Sequence, residues 1–149
     1  MSDKIEKLQR EGIKPVSIYK RAVAMTIDDM LLSFLVFFAF WPELSSAKSY
    51  EESIRIMDSL FIYILIIFTL YHWIFVALYS QTIGKMIVKI KVVDIDTLDK
   101  PSWINALIRS VFRNFDEMFF GLGMMYAFVD PLNRALHDII GNSVVVENN

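Results

Sequence analysis

Two neighbouring carboxylates, Asp28 and Asp29, stand near the start of an oily stretch, MTIDDMLLSFLVFFAFW, at residues 25–41. A charge in such surroundings persists only if it is paired, hydrated or protonated, because placing it there costs about 2.5 kcal/mol or more. Partners of opposite sign are spread along the chain. Arg21 lies seven residues earlier, and Lys85, Arg109, Arg113 and Arg134 come later, with His72 inside a second oily stretch. On a helix, Arg21 and Asp28 share nearly one face but stand about 10 Å apart along the axis, too far for contact. Asp28 is therefore expected to point into a polar seam and to be met there by an arginine from the C-terminal half. Asp29 sits about 100° round the helix. Two kinds of chemistry are open to such a group. One is a structural ion pair that fixes helix packing; the other is passage of a cation or proton, since ionisable groups inside a membrane are functional candidates. His72 reads either as a proton relay, its ordinary pKa being near neutral, or as a histidine making one satisfied hydrogen bond. Arg109, Arg113, Asp116 and Glu117 follow at i, i+4, i+7 and i+8, which is one helix face. His137-Asp138 has the form of a base with its orienting acid, while Arg134 and Asp138 at i, i+4 read as a plain helix salt bridge.

Other chemistries find little support. The chain has two histidines and no cysteine, which makes a poor metal site and excludes thiol chemistry. No serine, histidine and acid have nucleophile-elbow spacing, and no glycine-rich phosphate loop is present. An enzyme is not expected, and neither is a cofactor or metal. The net charge of −2 argues against nucleic-acid binding.

The elements that must position these groups follow from the apolar pattern. The 149 residues suit one domain, and 55% of them are hydrophobic, with a mean hydropathy of +0.44. Leu60–Tyr79 is a twenty-residue run without a formal charge when His72 is neutral. As a helix it matches a hydrocarbon layer about 30 Å thick. A chain of this size has no soluble core able to bury it. The expectation is an all-α membrane protein with spans at about 22–41 and 57–79, the first ended by Pro42 with Trp41 as interface anchor. The charged leader, residues 1–20, is too long and acidic for a signal peptide, so the first span is read as retained, with the leader's lysines and arginines near anionic headgroups. Residues 1–21 carry six lysines and arginines, the linker from Pro42 to Ser53 carries Lys48 alone, and residues 80–115 carry six more. That bias puts the N-terminus in the cytoplasm.

After the second span, Gly84 is expected as its C-cap, with Lys85 at the negative end of the dipole. Residues 86–93 alternate as a strand, Asp94–Asp99 reads as a turn, and Ser102 as the N-cap of a helical region over 102–129. That region is either one tilted third span or a bent pair that returns. A tail helix is expected over 131–140 and a strand over 143–147. A lone strand is unstable in water. Pairing 86–93 with 143–147 requires both on one side of the membrane, which favours the bent pair. Gly121 and Gly123 are expected at bends or packing contacts.

The ordered motifs resemble the RDD family of small bacterial multi-pass membrane proteins. They are Arg21-x-x-Ala24-x-x-Ile27-Asp28, Gln81-Thr82-x-Gly84-Lys85, Val92-Val93-Asp94 and Pro101-Ser102. Ala106-Leu107-x-Arg109 and Arg134-x-x-His137-Asp138 follow, before Val144-Val145-Val146. The likeness covers about residues 20–146, giving a membrane domain at 21–147 behind the leader. The family is named for an arginine at the start of the first helix and two aspartates. Arg21 and Asp28 match; the second aspartate is best matched by Asp138, with Asp116 and Asp94 as alternatives, and Asp29 doubling the first. The tail IIGNSVVV departs from the family's small residue, glycine and threonine ahead of the valines. The resemblance implies a bacterial plasma-membrane protein and transport of an undefined ligand. Two spans rarely enclose a pathway, so a homo-oligomer is expected besides the lipid bilayer as partner. The alternative function is a non-transporting scaffold that docks an unknown protein partner on its strand pair and basic loop.

Overall fold

The computed structural model describes residues 2–119 and 121–148. Helix α1 (Ser2–Arg10) precedes the long helix α2 (Ile18–Ala39). Ser17 caps α2 by accepting a hydrogen bond from the Lys20 amide. The helix stops at Ala39, and Pro42 lies in the first turn of the short α3 (Trp41–Ser45), so the proline opens the next helix rather than closing the first. Helix α4 (Tyr50–Tyr79) has 30 residues, capped by Ser49 and led by Glu51 and Glu52. At about 45 Å it exceeds a hydrocarbon layer by several turns. Both α2 and α4 are long and apolar enough to cross a membrane.

Ser80, in the left-handed conformation, ends α4. Gly84 is therefore not its cap. It lies inside α5 (Ile83–Ile87), where the Met86 amide already donates to the Thr82 carbonyl. The expected strand over 86–93 is correspondingly shortened. Lys89 turns through positive φ and β1 runs over Ile90–Asp94. It pairs antiparallel with β2 (Ser143–Glu147), from Ile90 opposite Glu147 to Asp94 opposite Ser143. Val16 donates to the Val145 carbonyl along the outer edge of β2, and Val92 donates to the Ser80 carbonyl along that of β1. Ile90, Val92 and Val145 join Val16, Ala24, Val76 and Ala106 in one apolar cluster. Val93, Val144 and Val146 join Leu8 of α1, Ile95 and Leu132 in another. The small sheet is thus covered on both faces and fixes both ends of the chain at one end of the α2–α4 hairpin.

Ser102 caps α6 (Trp103–Met118) by accepting from the Asn105 amide. The chain breaks after this helix and re-forms α7 (Leu122–Met125) and a 3-10 turn (Tyr126–Phe128). Gly121 at the break has φ of 75°. Helices α6 and α7 are thus separate elements, which is the bent arrangement rather than one continuous helix. Helix α8 covers only Leu136–Ile140, because Asn133 adopts positive φ and Asp130 accepts from the amides of Leu132 and Arg134, closing a turn where the tail helix was expected. The fold is mostly helical, with two long apolar helices and a small antiparallel β pair.

Helix α6 is inside-out. Arg109, Ser110, Arg113 and Asn114 are buried against α4 and α8, while Phe112, Phe115 and Met118 face outward. In water such an arrangement would lose both the hydrophobic stabilisation and the solvation of the charges. In a bilayer the same helix places its apolar face in lipid and its charges among partners. Helix α2 packs chiefly on α5 and α4 chiefly on α6, while Tyr71 of α4 reaches Asp28 of α2.

Candidate functional site

The buried residues of α2 are Arg21, Ala24, Asp28 and Leu32, a single stripe at helical spacing. Asp28 has no exposed surface. Its Oδ1 accepts from the Tyr71 hydroxyl and the Gly84 amide, both at 2.7 Å, and its Oδ2 accepts from the Thr82 hydroxyl at 2.5 Å. Tyr71 is held in place by the Ile83 amide, which donates to its hydroxyl at 3.0 Å. The partners are neutral dipoles from α4 and α5. The arginine expected at this carboxylate goes elsewhere. The cation nearest the cage is Lys85, whose Nζ donates to the Thr82 hydroxyl at 3.3 Å. Burial, followed by the neighbouring Arg109 and Arg113, pushes the Lys85 ammonium down to about 7, with Asp28 pulling against them. Gly84 is required here because a β-carbon would overlap the Ala24 carbonyl and lie 2.9 Å from the Asp28 carboxyl carbon. Gln81 ties the same turn to β1 by donating to the Ile90 carbonyl at 3.1 Å.

Asp138, also fully buried, receives the two arginines. Arg109 donates to its Oδ1 from Nε at 2.9 Å and Nη2 at 2.6 Å, and Arg21 pairs with its Oδ2. The Ala135 amide adds a bond at 3.0 Å. Burial opposes the charge on Asp138, but Arg21 and Arg109 outweigh it and hold the carboxyl far below the usual range. Burial pulls Arg109 down, with Asp138 opposing. The helix salt bridge read between Arg134 and Asp138 is not made. With α8 starting at Leu136, the two are not one helical turn apart. Arg134 instead binds Asp130, at 3.0 Å from Nε and 2.9 Å from Nη2.

A third set lies between α2, α4 and α6. Arg113 Nη2 meets Asp29 at 2.9 Å and Glu117 at 2.6 Å. His137 Nδ1 meets Asp116 at 2.5 Å, so Asp116 rather than Asp138 is the nearer acid to this histidine. Burial holds the His137 imidazole down toward its neutral form, with Asp138 and Asp116 opposing. Gly123 admits this pair, since a β-carbon there would overlap the Asp116 carboxylate. Asn114 reaches α4 by donating to Thr69 at 2.6 Å. His72 is buried beside this set; its Nε2, Nε and Nη1 of Arg113 and the Asn114 side-chain oxygen have no hydrogen-bond partner. Asp94, an alternative second aspartate, ends β1, takes the amides of Asp96 and Thr97 and lies 3.3 Å from Asn105 Nδ2, apart from the Asp28 and Asp138 contacts.

Asp29 differs from its neighbour in access. Its side chain is 40% exposed, on the outward face of α2 beside Thr26, Met30 and Ser33. Sequence reasoning assembled the charged residues but missed Tyr71, Thr69, Asn114 and Ala135, which carry no distinguishing pattern. Asp130 was detectable, standing four residues before Arg134. Among the described residues no group of three or more histidines and acids is placed to hold a metal ion.

The model of the RDD family matches residues 15–142. A curated relative, "Uncharacterized membrane protein YteJ" of Bacillus subtilis (strain 168), is 29% identical over 82 residues. The match covers 55% of this chain and 49% of the relative, so it spans about half the length of that protein. No solved structure matches the chain. The matched region contains the α2 stripe, the receptacle for Asp28 and the two arginines on Asp138, and by that extent the chain is a membrane protein of the RDD family.

Proposed function

We propose that this protein is a transport-related component of the bacterial plasma membrane that handles a cation, proton or small solute, working as a homo-oligomer with its N-terminus in the cytoplasm. One observation carries the reading: the difference between Asp28 and Asp29. Asp28 is saturated by three donors and has no exposed surface, which suits a fixed structural role. Asp29 pairs with Arg113 and keeps part of its carboxylate open on the apolar outward face of α2. An accessible charge at that depth is retained at a cost, and exchange with a ligand supplies a reason for it. Two spans rarely enclose a pathway by themselves, so on this reading a further wall comes from another copy. The alternative of a scaffold docking through the strand pair has less support, since both outer strand edges already carry hydrogen bonds.

The test is cation- or pH-dependent flux in proteoliposomes. Asp29→Asn should lower flux about tenfold or more, the loss of one charge-assisted contact, with the protein still monodisperse. Asp28→Asn should instead impair assembly. Unchanged flux in Asp29→Asn, or no flux with the native protein, would overturn the reading.

A further inference from the structure

Helix α6 buries polar atoms against α4 that the protein does not itself satisfy. Arg113, Asn114 and His72 each expose 8% of their surface or less. Yet Nε and Nη1 of Arg113, Nε2 of His72 and Oδ1 of Asn114 have no hydrogen-bond partner. Glu117 Oε1 lies 2.6 Å from Arg113 Nη2 as an ion pair but takes no hydrogen bond either. These groups are neighbours. Arg113 and Asn114 are consecutive on α6, and Glu117 follows Arg113 by one turn. Asn114 Nδ2 donates to the Thr69 hydroxyl at 2.6 Å and to the Leu65 carbonyl at 3.3 Å, which holds its amide against α4. His72 stands three residues after Thr69, on the same face of α4. Among the charges acting on His72, Arg113 is the strongest. In hydrocarbon no bulk solvent reaches such atoms, and protein interiors satisfy nearly all of theirs.

We propose that the α4–α6 interface binds a small cluster of internal water, held by Arg113, His72, Asn114 and Glu117. The charges select a neutral ligand. Arg113 Nη2 already meets two carboxylates, Asp29 at 2.9 Å and Glu117 at 2.6 Å, and these repel an anion from the same guanidinium. Arg113, Lys85 and Arg109 all act on His72 and repel a cation from it. The hydrogen-bonding pattern selects a ligand that both donates and accepts, because the guanidinium offers donors only and the Asn114 and Glu117 oxygens accept only. Water is the smallest molecule that does both, and a buried water takes about three such partners. The Glu117 side chain is 30% exposed, so the cluster leads from a partly open acid to the buried His72. The inference is independent of the transport reading, since a wet interface needs no flux.

The test uses the full chain in proteoliposomes, isotope-labelled at the histidine nitrogens. The chain has two histidines, so two imidazole spectra result, and His72→Phe assigns them. Water-edited solid-state NMR reads how fast magnetisation passes from water to each ring. His137 is the reference, being equally buried but facing the Asp116 and Asp138 carboxylates at 2.5 Å and 3.5 Å. His72 should take up water magnetisation several-fold faster than His137. Equal or slower uptake at His72 would overturn the proposal. Asn114→Leu, which replaces the acceptor by an apolar branch of similar size, should slow His72 to the rate of His137. Fast uptake that survives in an inserted Asn114→Leu protein would put the water elsewhere and remove this site. Should that variant fail to insert, the comparison within the native protein decides alone. Flux measured on the same native samples separates the two readings: fast uptake without flux removes the transport reading and keeps the water site, whereas flux with slow uptake does the reverse.

Discussion

Asp28 and Asp138 show two ways of keeping a carboxylate out of water. Asp28 is solvated by a phenol, a hydroxyl and a backbone amide. Asp138 is neutralised by Arg21 and Arg109. Their failures should differ. Asp138→Asn leaves two guanidinium groups buried and facing each other, and breaking a buried pair from one side costs about 3–5 kcal/mol. A drop of that order in unfolding free energy, followed by thermal denaturation in detergent, is expected. Lys85 gives a pH dependence whose sign is fixed. Its folded pKa of about 7 lies below the ordinary lysine value. Between that pH and about 10.4 the unfolded chain binds more protons than the folded one, so stability rises across this window and is flat below it. Lys85→Met should remove the slope, as read from melting temperatures between pH 6.5 and 10. An unchanged slope would mean that the ammonium is not held at a cost.

Among the elements, α5 and α6 carry the most information. Helix α5 is five residues long and has one task, bringing Thr82 and Gly84 onto Asp28. The close approach of α2 and α5 depends on Gly84 having no side chain. Gly84→Ala should force the two apart and cost about 1–3 kcal/mol, with loss of monodispersity in size exclusion as the visible sign. Helix α6 turns its charges inward and its phenylalanines outward, so the usual surface rule is reversed. Phe112→Glu, on its exposed face, should lower the membrane-inserted yield, since a charge in the hydrocarbon costs about 2.5–3.5 kcal/mol on insertion scales. In a soluble protein the same substitution would be tolerated or helpful, and an unchanged inserted yield would mean that α6 does not lie in lipid.

At the scale of the whole molecule, the sheet joins the two ends of the chain. The bridge between Pro15 and Val146 sets the segment ahead of α2 against β2. With two crossings, the segment around Ser46 must lie on the other side. The chain contains no cysteine, so single introduced cysteines report cleanly. In intact cells Ser46→Cys should react with an impermeant maleimide, while Lys14→Cys and Asn148→Cys should react only after permeabilisation. External labelling of Lys14→Cys would reverse the orientation that the lysine and arginine bias implies.

What the sequence determined by itself rests on local physics. Twenty uncharged residues mark the last twenty of α4, whose start at Tyr50 lies ahead of the expected 57–79, and Ser102 marks the start of α6. The alternation over 86–93, of which only the part from Ile90 became strand, and the valine run at 144–146 announce two strands that need each other. The charged residues of the interior were also visible, because acids and arginines within oily segments stand out in any reading. What only the tertiary structure decided is which of them meet. Asp28 gained neutral donors instead of an arginine, since Gly84 lets α5 come close enough for its own amide to serve. Asp138 gained Arg21, 117 positions away, because β2 docks beside the start of α2. The helix expected over 131–140 lost its first turns to Asp130, whose carboxylate captured the amides of Leu132 and Arg134. Spacing along a helix fixes faces, but the partner of a buried charge is set by which backbone comes within hydrogen-bonding distance, and that is a property of the packed chain.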